Sequence, residues 1–224
     1  MKFFLSCEHG DNQIPKEYAS LFKDAESLLA SHRGWDPGAL ELFKTMHSEN
    51  TFFSIYSEIS RLLVDLNRSL HRRSLFSELT KGLSKKEKEQ ILNQFYYPFR
   101  NAFGQAAQKV VSNRDKIFHV SVHSFTPELN GVVRTADIGL LYHPAHNDEK
   151  QWAKRWKSEL EKEFPHFRIR FNYPYLGKID GYVANLRKRF GNSYSGIELE
   201  MNNKYANNQT VIDSIAKAYH RICI

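Results

Sequence analysis

Ile117-Phe118-His119-Val120-Ser121-Val122-His123-Ser124-Phe125 decides how this chain is read. Residues 117–122 are β-prone, and the run empties into a histidine and a serine, as a strand does when it leaves a sheet. Alternation sets His119 and His123 on one side of that strand. His119 lies too deep for the rim and reads as structural. Comparable short apolar runs occur at 2–7, 62–66, 138–142, 168–171 and 196–201, the pattern of strands covered on both faces. Helical spacing separates them, at 15–30, at 37–45 behind Asp36-Pro37, from 84 to 111 with a kink or division expected at Pro98, and at 148–164, 179–189 and 210–222. Strands alternating with helices predict a three-layer α/β domain with a mainly parallel or mixed sheet, and no linker or repeat divides residues 1–224.

A chain of 224 residues buries a substantial core without cross-links. Cys7 and Cys223 suggest no disulfide framework, and reduced thiols in a cytoplasmic protein are the expectation. The amino terminus lacks the core and cleavage site of a signal peptide, and no run is long enough to span a membrane. The net charge is +7, yet the basic residues are spread among acidic ones as on solvated helix faces, which argues against a nucleic-acid partner. The tail Ile222-Cys223-Ile224 could pack on the core or on a second subunit.

In such sheets ligands gather beyond the carboxyl ends of the strands. His9, Asn67, Arg68 and His123 each follow an apolar run and would sit there. Two imidazoles at strand ends are candidate zinc ligands, and a catalytic zinc needs a third protein ligand, here Glu8, Asp11 or Asp36. Asp36 has a competing reading as a helix cap before Pro37. Glu8, if still in the strand, would point away from His9. Glu198 and Glu200 share one face of a strand whose other face carries Ile197, Leu199 and Met201. They are either carboxylates beside a metal-activated water or the wet face of an edge strand. Arg68 offers a planar fork for a substrate carboxylate, and Asn67 adds a neutral hydrogen-bonding group. Arg134 reads either as an ion pair with Asp137 or as part of the pocket wall, where it would bind substrate.

Val64-Asp65-Leu66-Asn67-Arg68, Val122-His123-Ser124-Phe125 and Gly196-Ile197-Glu198-Leu199 resemble the segments with which zinc carboxypeptidases supply an Asn-Arg clamp, a zinc histidine and a general-base glutamate. The full order resembles the N-formylglutamate amidohydrolase family more closely. It adds Ser6-Cys7-Glu8-His9 with Ile14-Pro15, Trp35-Asp36, the run from Ser60-Arg61 to Arg68, Tyr96-Tyr97-Pro98-Phe99 and Asp180-Gly181. The resemblance implies a phosphorylase/hydrolase-like, zinc-exopeptidase-like fold. It also implies one zinc per chain and release of formate from N-formyl-L-glutamate, a late step of histidine degradation in some bacteria. It makes His9, Asp36 and His123 the expected zinc ligands, Glu198 the general base, and Asn67 with Arg68 the clamp on a substrate carboxylate. Two departures stand out. Where carboxypeptidases carry a glutamate ligand three residues after the first histidine, this chain has Asn12, and the family's Pro-Tyr-His reads Pro98-Phe99-Arg100. The rival readings are a carboxypeptidase-like or cell-wall amidase with the same zinc site, and an inactive binding module.

Overall fold

The computed structural model describes residues 1–223. In chain order the elements are β1 (Lys2–Cys7), α1 (Glu26–Ala30), α2 (Ala39–Met46), β2 (Thr51–Tyr56), α3 (Lys85–Ile91), α4 (Tyr97–Ser112), β3 (Ile117–Phe125), β4 (Glu128–Leu129), β5 (Val132–Val133), β6 (Ile138–Leu141), α5 (Asn147–Glu163), β7 (Ile169–Phe171), α6 (Tyr182–Phe190), β8 (Tyr194–Asn202) and α7 (Gln209–Ile222). Six strands form one sheet in the order β2-β1-β3-β8-β6-β7, and β4 pairs with β5 as a separate hairpin. β2, β1, β3 and β8 are parallel neighbours, β6 joins β8 antiparallel, and β7 runs parallel to β6. The expected mainly parallel, mixed sheet is therefore present, with helices on both faces.

The two faces carry different chemistry. Leu5, Cys7, Phe118, Val120, Val122, Ile197, Leu199 and Met201 point into one core with α2, α5 and α7. The alternate positions Phe4, Ile117 and Tyr194 face a second core built with α4 and α6. On that second face, toward the carboxyl ends of the parallel strands, the sequence switches to Ser6, His119, Ser121, His123, Glu198 and Glu200. One side of the sheet thus grades from a hydrophobic floor to a polar rim. His119 is fully buried between Ser6 Oγ (2.7 Å) and the Tyr194 hydroxyl, a structural role as expected.

Some expectations need correction. Residues 62–66 form consecutive turns rather than a strand, and the missing strand is β2. Leu62, Leu63, Val64 and Leu66 are apolar because they lie under the second core. Their polar backbone is satisfied by side chains and loops instead of a ladder: Leu62 O accepts from Ser77 Oγ (2.6 Å), and Asp65 N donates to Leu75 O (2.9 Å). A short buried run has no periodicity that separates the two outcomes. The helix expected at 15–30 is broken into a 3₁₀ stretch, Lys16–Phe22, and α1, because Asp24 between them adopts a φ of 62°. The kink or division expected at Pro98 takes the form of a change of helical pitch, and the chain stays helical from 85 to 112. α3 and α4 are joined through a π-helical turn at Leu92–Tyr96, with Pro98 in the first turn of α4. Both cysteines are free and buried; Ile222 and Cys223 pack in the first core, and Ile224 lies outside the described residues. No helix among the described residues is long and apolar enough to cross a membrane.

Candidate metal centre and substrate clamp

β1 ends at Cys7, so Glu8 and His9 are no longer bound to opposite faces and both turn toward the polar rim. His9 donates from Nε2 to Asp65 Oδ1 (2.7 Å), which leaves Nδ1 as the free nitrogen, 3.4 Å from Asp36 Oδ2. Asp36 sits in the loop before α2. The αL residue Gly38 occupies the cap position, so the Asp36 carboxylate is free for other work and the capping reading falls. Its Oδ2 lies 2.8 Å from His123 Nδ1 and its Oδ1 accepts from Arg61 (3.1 Å). One ligand atom each from His9, Asp36 and His123 lies within 4.8 Å of the others, and all three residues are buried.

The donor set suits a divalent cation. His9 Nδ1 is buried with no hydrogen-bond partner, an atom that needs something the protein does not supply. Behind each imidazole stands an oxygen acceptor of the kind that fixes the ring of a metal-binding histidine. For His9 this is Asp65. For His123 it is Glu8 Oε2, 3.1 Å from Nε2, with Ser121 Oγ 2.9 Å from the same nitrogen and donating to Glu8 (2.6 Å). Glu8 is therefore an outer partner rather than a member of the His-Asp-His group. Asp11 bonds the backbone of Asn12 and the side chain of Gln13, and Asn12 donates to Leu29 O (2.9 Å), so neither reaches the centre.

Electrostatics follow from burial and pairing. Burial opposes ionisation of Glu8, but the hydrogen bonds and charge of His123 outweigh it and hold the carboxyl at about 2. Burial likewise opposes ionisation of Asp36 and Asp65. His9, His123 and Arg61 around the first, and Arg61 and His9 around the second, hold both well below the carboxylate range. Arg61 bridges the pair, reaching Asp36 at 3.1 Å and Asp65 at 3.2 Å, which fixes the two acids relative to each other. His123 is destabilised as a cation by burial, yet Asp36 and Glu8 push it well above the ordinary imidazole value. Glu198 and Glu200 lack such partners. Burial raises Glu198 and pushes Glu200 up to about 8, leaving Glu200 Oε2 without a hydrogen bond.

β8 lies between β3 and β6, which removes the edge-strand reading of Glu198 and Glu200. Both line a pocket of about 160 Å³ with His9, Asp36, His123, Asn67 and Arg68. Ser121 is paired in register with Glu198, and His123 with Glu200. Asn67 Oδ1 accepts from Tyr182 N (2.6 Å) at the start of α6, which turns its amide NH₂ toward His123, 3.4 Å away. Arg68 lines the pocket, with Nη1 donating to Asp180 O (3.0 Å) and Nε 3.8 Å from Asp65 Oδ2. The Asp180 carboxylate in turn accepts from Ser69 N and its hydroxyl. Arg100 holds the backbone around Asn67 and Arg68. Its guanidinium donates to Leu66 O and Arg68 O (3.2 Å each) between the rings of Tyr96 and Tyr182, at 4.6 and 4.7 Å. Arg134 does not pair with Asp137, which is taken by Lys204 (2.6 Å); it lies over the Tyr175 ring at 5.0 Å, beside the pocket.

Sequence reading passed over Asp65, Arg61, Ser121 and Tyr175. The first three left a signal: Arg61 and Asp65 are four apart in one segment, and Ser121 shares the strand face of His123. Tyr175 left none, being placed by the loop before α6.

The fold is a mixed α/β one with helices on both faces of a mainly parallel sheet, and its polar cleft lies at the carboxyl ends of the parallel strands. The chain belongs to the N-formylglutamate amidohydrolase family, whose model matches residues 1–206. Among solved structures it resembles gene product Atu2144 from Agrobacterium tumefaciens, at 25% identity and a TM-score of 0.81, over 99% of this chain and 88% of that one. A likeness of fold extends to an N-formylglutamate amidohydrolase from Ralstonia eutropha JMP134, at 14% identity and a TM-score of 0.71, over 99% of this chain and 92% of the other. No curated protein matches the chain.

Proposed function

We propose that this chain is a zinc-dependent amidohydrolase of the cytoplasm, working as a single domain with one zinc per chain. It cleaves the amide of a small N-acylated amino acid, with N-formyl-L-glutamate, giving formate and glutamate, as the first substrate to test. The observation that carries the reading is the buried His9-Asp36-His123 group, with His9 Nδ1 left unpartnered, next to Glu198 and an Asn-Arg pair in one pocket. His9, Asp36 and His123 would hold the ion, with Asp65 and Glu8 orienting the imidazoles. When bound, zinc supplies Lewis acidity that polarises the scissile carbonyl and makes the attacking water more acidic.

The chain's own groups do the rest. Arg68 and Asn67 hold the substrate carboxylate, which sets the amide against the His-Asp-His group and makes the attack effectively intramolecular. Glu198, half-buried and raised by its surroundings, takes a proton from the water and returns it to the leaving nitrogen. Arg134 borders the pocket on the side of Tyr175, where it meets the acyl half of the substrate.

The test is metal content of the purified protein together with formate release from N-formyl-L-glutamate before and after chelation. Glu198→Gln should fold, keep its zinc and lose turnover by about a hundredfold or more. Retained turnover removes Glu198 from the mechanism. Absence of metal, with none taken up on adding zinc, rejects the hydrolase reading and favours a binding module.

A further inference from the structure

Asn67 and Arg68 follow a buried segment that no sheet supports. Residues 62–66 run in turns, so no strand ladder fixes the backbone from which these two side chains project. The N–H groups turn to two aspartates. Asn67 N donates to Asp65 Oδ1 (2.9 Å), Arg68 N to Asp65 O (3.1 Å) and Ser69 N to Asp180 Oδ2 (3.2 Å). The carbonyls go to α4 and the turn before it. Arg100 Nη2 donates to both Leu66 O and Arg68 O (3.2 Å each), Arg100 Nε reaches Leu66 O at 3.4 Å, and the Tyr96 hydroxyl donates to Arg68 O (2.8 Å). One planar guanidinium thus spans the carbonyl before Asn67 and the carbonyl after Arg68, a reach that a lysine's point charge does not reproduce.

Arg100 is itself held in place. Tyr96 precedes it by four residues, and the guanidinium lies over the rings of Tyr96 at 4.6 Å and Tyr182 at 4.7 Å, both rings being 2% exposed. Tyr182 closes the circuit, because its backbone N donates to Asn67 Oδ1 (2.6 Å) and so orients the Asn67 amide. The π-helical turn Leu92–Tyr96 ends on the tyrosine that makes these contacts, and such turns are frequent at functional sites. Arg100 is half-buried, makes no ion pair among the described residues, and spends its donors on the carbonyls of this one segment. Asn67 and Arg68 line the pocket, and Arg100 does not.

We infer that Arg100, bracketed by Tyr96 and Tyr182, is a positioning residue that sets Asn67 and Arg68 for the substrate carboxylate and acts on binding, not on the metal centre. This rests on the proposed reading of Asn67 and Arg68 as a carboxylate clamp. Without the guanidinium, Leu66 O loses these donors and Arg68 O keeps Tyr96. A misplacement of about 1 Å costs about 100-fold in a site of this kind, and with Asp65, Asp180 and Tyr96 still in place the expected loss is about tenfold.

The experiment is a double-mutant cycle on the zinc-loaded wild type, Arg68→Met, Arg100→Met and the double variant. Binding is read by calorimetry with L-glutamate, the amino-acid product of the proposed reaction, beside kcat and KM for N-formyl-L-glutamate. Arg100→Met should weaken L-glutamate binding and raise KM about tenfold, with kcat within about threefold of the wild type and zinc content unchanged. In the Arg68→Met background the same change should alter binding by less than about threefold, because the group it acts through is gone. Arg100→Lys keeps the charge without the fork and should fall between wild type and Arg100→Met. Tyr96→Phe removes one hydroxyl, should show the same split on a smaller scale, and carries the test if Arg100→Met fails to fold. Equal losses in both backgrounds, a fall in kcat at fixed KM, or loss of zinc overturns the inference. So does a wild-type protein that binds neither L-glutamate nor N-formyl-L-glutamate, since there is then no clamp to position. Coupled losses of L-glutamate binding, with no turnover of any substrate, would reject the hydrolase and leave the positioning role. Turnover with additive losses would do the reverse.

Discussion

Replacing Asp65 by Asn removes one charge from behind the metal centre and little else. Asp65 Oδ1 accepts from His9 Nε2 at 2.7 Å and from Asn67 N at 2.9 Å, and Oδ2 faces Arg61 at 3.2 Å. An asparagine oxygen can still accept from His9, so the ring keeps its tautomer, but it loses the anion that makes Nδ1 more basic and stabilises the positive charge of a bound ion. Outer partners of this kind are worth about 10–100-fold in metal affinity, or about 1.4–2.8 kcal/mol. Arg61 retains Asp36, so the variant should fold. The assay is zinc affinity by competition with a chromophoric chelator, with thermal unfolding of the metal-free proteins as the control. Zinc affinity within about twofold of the wild type, with folding intact, would refute the claim that Asp65 prepares His9 for a metal.

Three further outcomes are expected. Arg68→Lys keeps the charge but loses the fork, so KM for an N-acyl amino acid should rise about tenfold or more with kcat changed much less; an equal fall in kcat with KM fixed would place Arg68 in the chemistry instead. Arg187→Met strips a buried partner from Glu149, which it meets at 2.6 Å, and should cost about 3–5 kcal/mol by denaturant unfolding, a loss under about 1 kcal/mol contradicting the burial argument. Burial opposes ionisation of Asp137, but Lys204, Arg168 N and Tyr205 hold its carboxyl below the usual value. Because the folded value is depressed, its contribution is present above the unfolded carboxylate range and is lost as pH falls through the folded value. The stability gap between wild type and Asp137→Asn should therefore close on acidification, and a gap that widened would reverse the sign of the linkage.

Much of the site could be read before any coordinates. The ends of β1 and β3 announced themselves by apolar runs that stop at His9 and His123, and β8 by carboxylates alternating with Ile197, Leu199 and Met201. These signals are local, since a strand's alternation is written in consecutive residues. The segment 62–66 defeated the same logic because burial without a ladder looks identical to burial within one. β2 was missed, although Thr51-Phe52-Phe53-Ser54-Ile55-Tyr56 is β-prone; it is an edge strand with none of its side chains buried, unlike the continuous buried runs that marked the other strands.

By itself the sequence determined the α/β class, the parallel character of the sheet and the residue types gathered at its carboxyl edge, because secondary structure and burial follow from periodicity along the chain. Only the tertiary structure shows which of Glu8, Asp11 and Asp36 stands with the two histidines. That choice depends on how the loop before α2 crosses to within 2.8 Å of His123, 87 residues away, while Glu8 is drawn behind the imidazole by Ser121. It also sets Asp65 against His9 and Arg61 against Asp36, and brings Tyr175 into the lining of the same pocket. Strand order and loop path bring those groups together, and neither is written in any local stretch of the chain.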